Sequence, residues 1–154
     1  MIRQAKNFNK DYPNCKFIVN TEPKLSMFSD NYFDLVYTTI VLQHIPEKEI
    51  IKSYLQEFIR ILKKDGLLAF QLPSKIPFIN RTQRSKKLYN ILHSTGFNEK
   101  FLFNKLGLHP ISMNFIPEED VKKLLESAGA KILQIKQDSS AGKNKQSLTY
   151  FVTK

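Results

Sequence analysis

Two short polar stretches, each at the end of an apolar run, hold the side chains best suited to chemistry. The first is Asn20, Thr21 and Glu22, at the end of CKFIVN (residues 15–20). The second is Thr38, Thr39, Gln43 and His44, within FDLVYTTIVLQHIP (residues 33–46). His44 is the titratable member: an imidazole that changes charge near neutral pH can orient an acceptor or take its proton. The competing reading is a structural histidine that caps the helix after it. Two further histidines, His93 and His109, have no cysteine or carboxylate at ligand spacing, so no metal site is expected. The single cysteine, Cys15, can form neither an internal disulfide nor a zinc cluster. Opening an apolar run, it reads as buried filler rather than a nucleophile, and it suits a reducing cytoplasm.

What positions these groups is an α/β sheet. FDLVYT is β-branched and aromatic, the pattern of a strand buried on both faces, so the polar residues after it lie at the strand's carboxyl end. In an open α/β sheet that end faces the ligand crevice. Pro46 and Glu47 then open a helix in which Ile51, Tyr54, Leu55, Phe58, Ile59 and Leu62 share one face. Glu47 and Glu49 fall in its first turn and Lys63 and Lys64 in its last, matching the helix dipole, with Gly66 as the stop. Residues 67–72 are the next strand, giving a right-handed parallel crossover. Upstream, Ile2, Ala5, Phe8 and Tyr12 share a helical face, Pro13 and Asn14 end it, and residues 15–20 read as a buried strand. Downstream, Pro117 opens a helix with Glu118, Glu119 and Asp120 in its first turn and Gly129 at its stop. Residues 131–137 and 148–152 form an antiparallel pair joined by DSSAGKNKQ. Residues 73–110 break the alternation: a helix over 80–92 and the aromatic stretch FNEKFLFNKLGLHP read as an insertion over the strand ends.

Composition limits the functional classes. A chain of 154 residues has room for one domain, which buries about two-thirds of its unfolded surface. No apolar run approaches the roughly 20 residues that span a bilayer, and MIRQAKNFNK has no apolar signal-peptide core. The net charge is +10 and the pI about 9.7. Residues 75–105 concentrate it, with seven Lys or Arg against one acid, Glu99. Such a surface attracts phosphates, anionic lipid heads or nucleic acid, although a solvated basic face is the plainer reading.

FDLVYTTIVLQHIP followed by YLQEFIRILKKDGLLAFQLP (residues 54–73) resembles the second half of class I S-adenosylmethionine-dependent methyltransferases. The resemblance is strongest to small-molecule and glycan-associated members and runs over nearly the whole chain. It implies a Rossmann-like, mainly parallel sheet with a C-terminal antiparallel hairpin, S-adenosylmethionine as cofactor, and a lid in the insertion. Asn20 or Glu22 would face the adenine, with Thr21 replacing an Asp. Thr38 and Thr39 would contact the methionine moiety, with Gln43 beside them, and His44 would serve the acceptor. Because a sulfonium is a good leaving group, such enzymes mainly align donor and acceptor and exclude water.

The glycine-rich first motif, E/D-x-G-x-G-x-G, is absent, because Met1 falls where the family has passed its second strand. In the family's strand order the missing pair lies between residues 15–20 and 33–38. The expectation is a methyltransferase domain, incomplete at its amino end, acting on a small-molecule or saccharide-linked acceptor, with self-association possible through the incomplete sheet. Two other readings stay open: a non-catalytic methyltransferase-like remnant or partner subunit, and a basic nucleic-acid-binding protein.

Overall fold

A computed structural model describes residues 2–76, 84–108, 113–138 and 146–154. The strands are β1 (Phe33–Thr38), β2 (Leu62–Lys75), β3 (Lys131–Asp138) and β4 (Gln146–Thr153), in the sheet order β1-β2-β4-β3. β1 and β2 are parallel, while β4 runs antiparallel to both of its neighbours, β2 and β3. Three strands therefore point one way and the reversed β4 lies between two of them. The parallel start and terminal antiparallel hairpin are those expected from the sequence.

The helices are α1 (Ile2–Phe8), α2 (Lys48–Ile61), α3 (Arg84–Ser94), α4 (Glu99–Asn104) and α5 (Glu118–Ser127). The apolar stripe of α2 supplies Ile51, Leu55 and Ile59, and α5 supplies Val121 and Leu125. They pack against Leu68, Phe70 and Leu72 of β2 and Leu148, Tyr150 and Val152 of β4. Phe70 and Tyr150, paired across the strands, stack with ring centroids 4.7 Å apart. The main core is thus centred on β2 and β4.

α2 ends earlier than its sequence pattern suggests. Its last residue is Ile61, and Leu62 is already extended and pairs with Phe33, so Lys63 and Lys64 lie beyond the helix and Glu47 is its N-cap. The left-handed residue in this turn is Asp65 (φ 62°) rather than Gly66. Glycine at 66 answers a close approach instead: a Cβ there would lie 3.0 Å from Asp34 O, Lys63 O and a Leu62 methyl.

The larger departure is upstream. Residues 15–20 form no strand, Cys15 is exposed, and Ile18 and Val19 lie open to solvent. β1 is not buried on both faces either, with Leu35 57% and Tyr37 68% exposed. Both differences have one cause. A strand is buried by its neighbours, and among the described residues β1 is the edge of this sheet, with no strand between it and residues 15–20. Arg60 on α2 clasps residues 25–30. Its guanidinium pairs with Glu57 (2.8 Å) and Asp30 (2.7 Å) and donates to the carbonyls of Leu25 and Phe28. Glu57 also accepts from the Leu25 N–H at 2.7 Å.

Candidate functional site

The carboxyl end of β1 runs into an unusual turn. Thr38 is the last strand residue, in register with Phe70, and Thr39 leads into Ile40, which has φ of 59°. Left-handed backbone is costly for a β-branched residue, and such strain persists only where surroundings enforce it. Here the enforcing group is Gln71 of β2, whose Oε1 accepts the Ile40 N–H at 3.0 Å. Gln71 is 2% exposed, and its amide nitrogen donates to Gln43 Oε1 and to the buried Ser147 hydroxyl of β4.

Gln43, also 2% exposed, belongs to a 3-10 turn at Leu42–His44. Its backbone carbonyl accepts from the Asn114 N–H (2.7 Å), and the Asn114 side chain donates to the carbonyls of Ile45 and Pro46. The Gln43 side-chain nitrogen lies 3.2 Å from His44 Nε2. With that amide as donor, Nε2 accepts and the ring proton sits on Nδ1, leaving exposed His44 a ring N–H to offer.

Asn20 and Glu22 are brought together elsewhere, against α2. The Asn20 amide donates to the Glu22 carbonyl (2.7 Å) and to the Tyr54 hydroxyl (3.2 Å), which itself donates to the Glu22 carbonyl (3.0 Å). Asn20 is thus spent on shaping the turn, and Thr21 and Glu22 are exposed. The Glu22 carboxylate makes no ion pair among the described residues. Of the two adenine candidates read from the sequence, Glu22 is the one left with a free side chain.

Sequence reasoning missed Gln71, Ser147 and Asn114. The available signal was a polar residue interrupting each apolar strand, Gln71 in LLAFQLP and Ser147 in QSLTYFV. Buried polar side chains are retained where hydrogen bonds satisfy them, so these positions mark a built network. His93 stacks on Tyr89 and lies 3.7 Å from Glu99; His109 lies outside the described residues. Among the described residues, no group of three or more His, Cys, Asp or Glu is placed to hold a metal ion.

A family model for a methyltransferase domain matches residues 1–70. No curated protein matches the sequence. Solved structures match over almost the whole chain. One is a SAM-dependent methyltransferase from Methanosarcina mazei, 17% identical, covering 99% of this chain and 76% of its own with a TM-score of 0.64. Another is magnesium protoporphyrin IX methyltransferase from Synechocystis PCC 6803 with bound SAH, 16% identical, covering 100% and 59% with a TM-score of 0.59. A third is the Haloferax volcanii complex between the Trm112 methyltransferase activator and a candidate methyltransferase, 12% identical, covering 99% and 67% with a TM-score of 0.63. The chain thus spans between about half and three quarters of the solved structures it resembles. Residues 1–70 carry the methyltransferase-domain pattern, and the chain as a whole has the fold of the class I S-adenosylmethionine-dependent methyltransferases.

Proposed function

We propose that this chain is the S-adenosylmethionine-dependent methyltransferase domain of a cytoplasmic enzyme, acting on a small-molecule or saccharide-linked acceptor. In this reading the chain is one domain, incomplete at its amino end, with an insertion at about residues 73–110. The observation that carries the reading is the strand end itself. Thr38 and Thr39 lead into a left-handed Ile40 whose N–H is fixed by a buried glutamine, and strained backbone of this kind concentrates at ligand sites.

The donor set present suits one flank of the cofactor. Glu22 offers an unpaired carboxylate toward the adenosine end, and Thr38 and Thr39 offer hydroxyls toward the methionine end. Gln43 holds the turn between the threonines and His44. When bound, the cofactor supplies an activated methyl group. The protein's part is alignment, with His44 donating its ring N–H to the acceptor. To act instead as a base through Nε2, His44 must first give up its contact with Gln43.

The opposite flank of the cofactor needs a glycine turn that this sequence lacks. The open edge of β1 is the place where strands from an upstream segment or from another copy would pair. That same edge favours a second reading, a non-catalytic methyltransferase-like subunit that completes its sheet with a partner.

Calorimetric titration with S-adenosylhomocysteine tests the reading. Saturable one-site binding is expected, weakened about 5-fold or more by Glu22→Ala or Thr38→Val, each of which removes a direct hydrogen bond. His44→Ala should lower turnover and leave that affinity intact; an unchanged rate removes His44 from the mechanism. Absence of heat from folded protein assigns the chain to the second reading.

A further inference from the structure

The segment between β2 and α5 builds a small core of its own. Tyr89, Leu102 and Leu108 are buried there, with Leu92 packed against them, so α3 and α4 form a hairpin. The Tyr89 hydroxyl donates to Glu99 at 3.3 Å, and Asn98 caps α4 by accepting the Lys100 N–H at 2.8 Å. This core uses only some of the apolar side chains that the hairpin carries. Leu88 (47%), Ile91 (60%), Phe97 (46%), Phe101 (45%) and Leu106 (48%) remain exposed. Leu88, Ile91 and Leu92 are spaced i, i+3, i+4 on α3, so its apolar stripe is wider than α4 covers. Phe97 and Phe101 stack outside that core, with centroids 6.1 Å apart.

The charge around these groups is predominantly positive. Lys86, Lys87, Lys100 and Lys105 are exposed, and none forms an ion pair among the described residues. Glu99, the acid of this segment, is already engaged by Tyr89 and His93. Unneutralised lysines beside exposed aliphatic and aromatic side chains suit an anionic bilayer: the ammonium groups meet phosphate headgroups while the apolar groups enter the acyl boundary. Nucleic acid matches the lysines and phenylalanines but offers no apolar medium to Leu88, Ile91 and Leu106.

We propose that the α3–α4 hairpin docks this protein on the surface of membranes containing anionic lipid. Among the described residues no helix is long and apolar enough to cross a membrane, and the hairpin would lie in the interface without spanning it.

Co-sedimentation of the full chain with vesicles tests this, comparing phosphatidylcholine alone with phosphatidylcholine mixed with phosphatidylglycerol. Binding is expected with the mixed vesicles and should weaken as salt rises. Lys86→Glu with Lys87→Glu should weaken it about 10-fold or more, from the headgroup attraction of each lysine. Leu88→Gln with Ile91→Gln should weaken it about 10-fold by removing inserted apolar surface. Both pairs lie outside the hairpin's buried core, and thermal melting of each variant checks that it folds; if one pair unfolds the chain, the other decides. No pelleting with mixed vesicles, equal pelleting with neutral ones, or indifference to the Leu88 and Ile91 pair overturns the proposal. Tighter capture by a single-stranded oligonucleotide, lost with the same two lysines, overturns it in favour of a nucleic-acid surface.

Discussion

β1 and β4 are both runs of β-branched and aromatic residues, and each places a tyrosine on the sheet. Tyr37 of β1 is 68% exposed, whereas Tyr150 of β4 is fully buried. The difference lies in the neighbours. β4 has a strand on each side and two helices over its inner face, while among the described residues β1 is paired only with β2. Strand composition says that a segment fits a pleated surface; burial is conferred by what pairs and packs against it.

The largest expected effect belongs to the closed flank. Tyr150→Ala should cost about 3–5 kcal/mol, since it opens a cavity against Phe70, whereas Tyr37→Ala should stay within about 0.5 kcal/mol. Denaturant midpoints measure both, and similar losses at the two sites would break the contrast. Tyr150→Phe sharpens it: the Tyr150 hydroxyl is buried with no hydrogen-bond partner among the described residues, and burial raises its pKa. Removing that hydroxyl should stabilise the protein by about 1 kcal/mol.

Next comes the clasp that keeps the open flank in order. Arg60→Ala should cost about 1–3 kcal/mol by cutting the charged hydrogen bonds to Glu57 and Asp30. It should also raise protease cutting within residues 25–30, which the clasp pins to α2. Unchanged proteolysis would mean that the loop is held by other contacts.

A smaller effect is set by pH. The Arg60 guanidinium holds the Glu57 carboxyl below its ordinary value of 4.5. Because the folded-state pKa is the lower one, the stabilisation is fully present above about pH 4.5 and fades as pH falls through that lowered value. It should amount to about 1 kcal/mol or less. Glu57→Gln should flatten this acid limb in melting scans; an identical limb in the variant would place the effect on another carboxylate. The smallest effect on stability is expected at the edge itself. Leu35→Lys should change stability by less than about 0.5 kcal/mol while reducing association of the chain in light scattering, as charge on an edge strand does.

The same contrast explains what the sequence could tell. α2, α5 and the strands beside them were legible because their periodicity reports a core that exists within the chain. Residues 15–20 carry as good a strand pattern, but CKFIVN has no strand to pair with among the described residues, so local preference is left without a partner. The end of α2 was misplaced by three residues because tertiary pairing of Leu62 with Phe33 overrides the helix-favouring lysines after it. At the candidate site, Thr38, Gln43 and His44 stood out as a polar run after a strand. Gln71 did not, because one amide inside LLAFQLP looks like any polar interruption until its partners, 28 and 76 residues away, are known.

The order of the strands also bears on how the chain comes off the ribosome. β4 follows the other three described strands in the chain, yet it lies between β2 and β3 in the sheet. Until residues 146–153 emerge, β2 has only β1 beside it among the described strands and β3 has none, so two of the three ladders, β2–β4 and β3–β4, wait unformed. Vectorial synthesis therefore cannot bank stability strand by strand here. The β2–β4 pairs span roughly 70–90 residues of sequence, the kind of distant closure that slows folding.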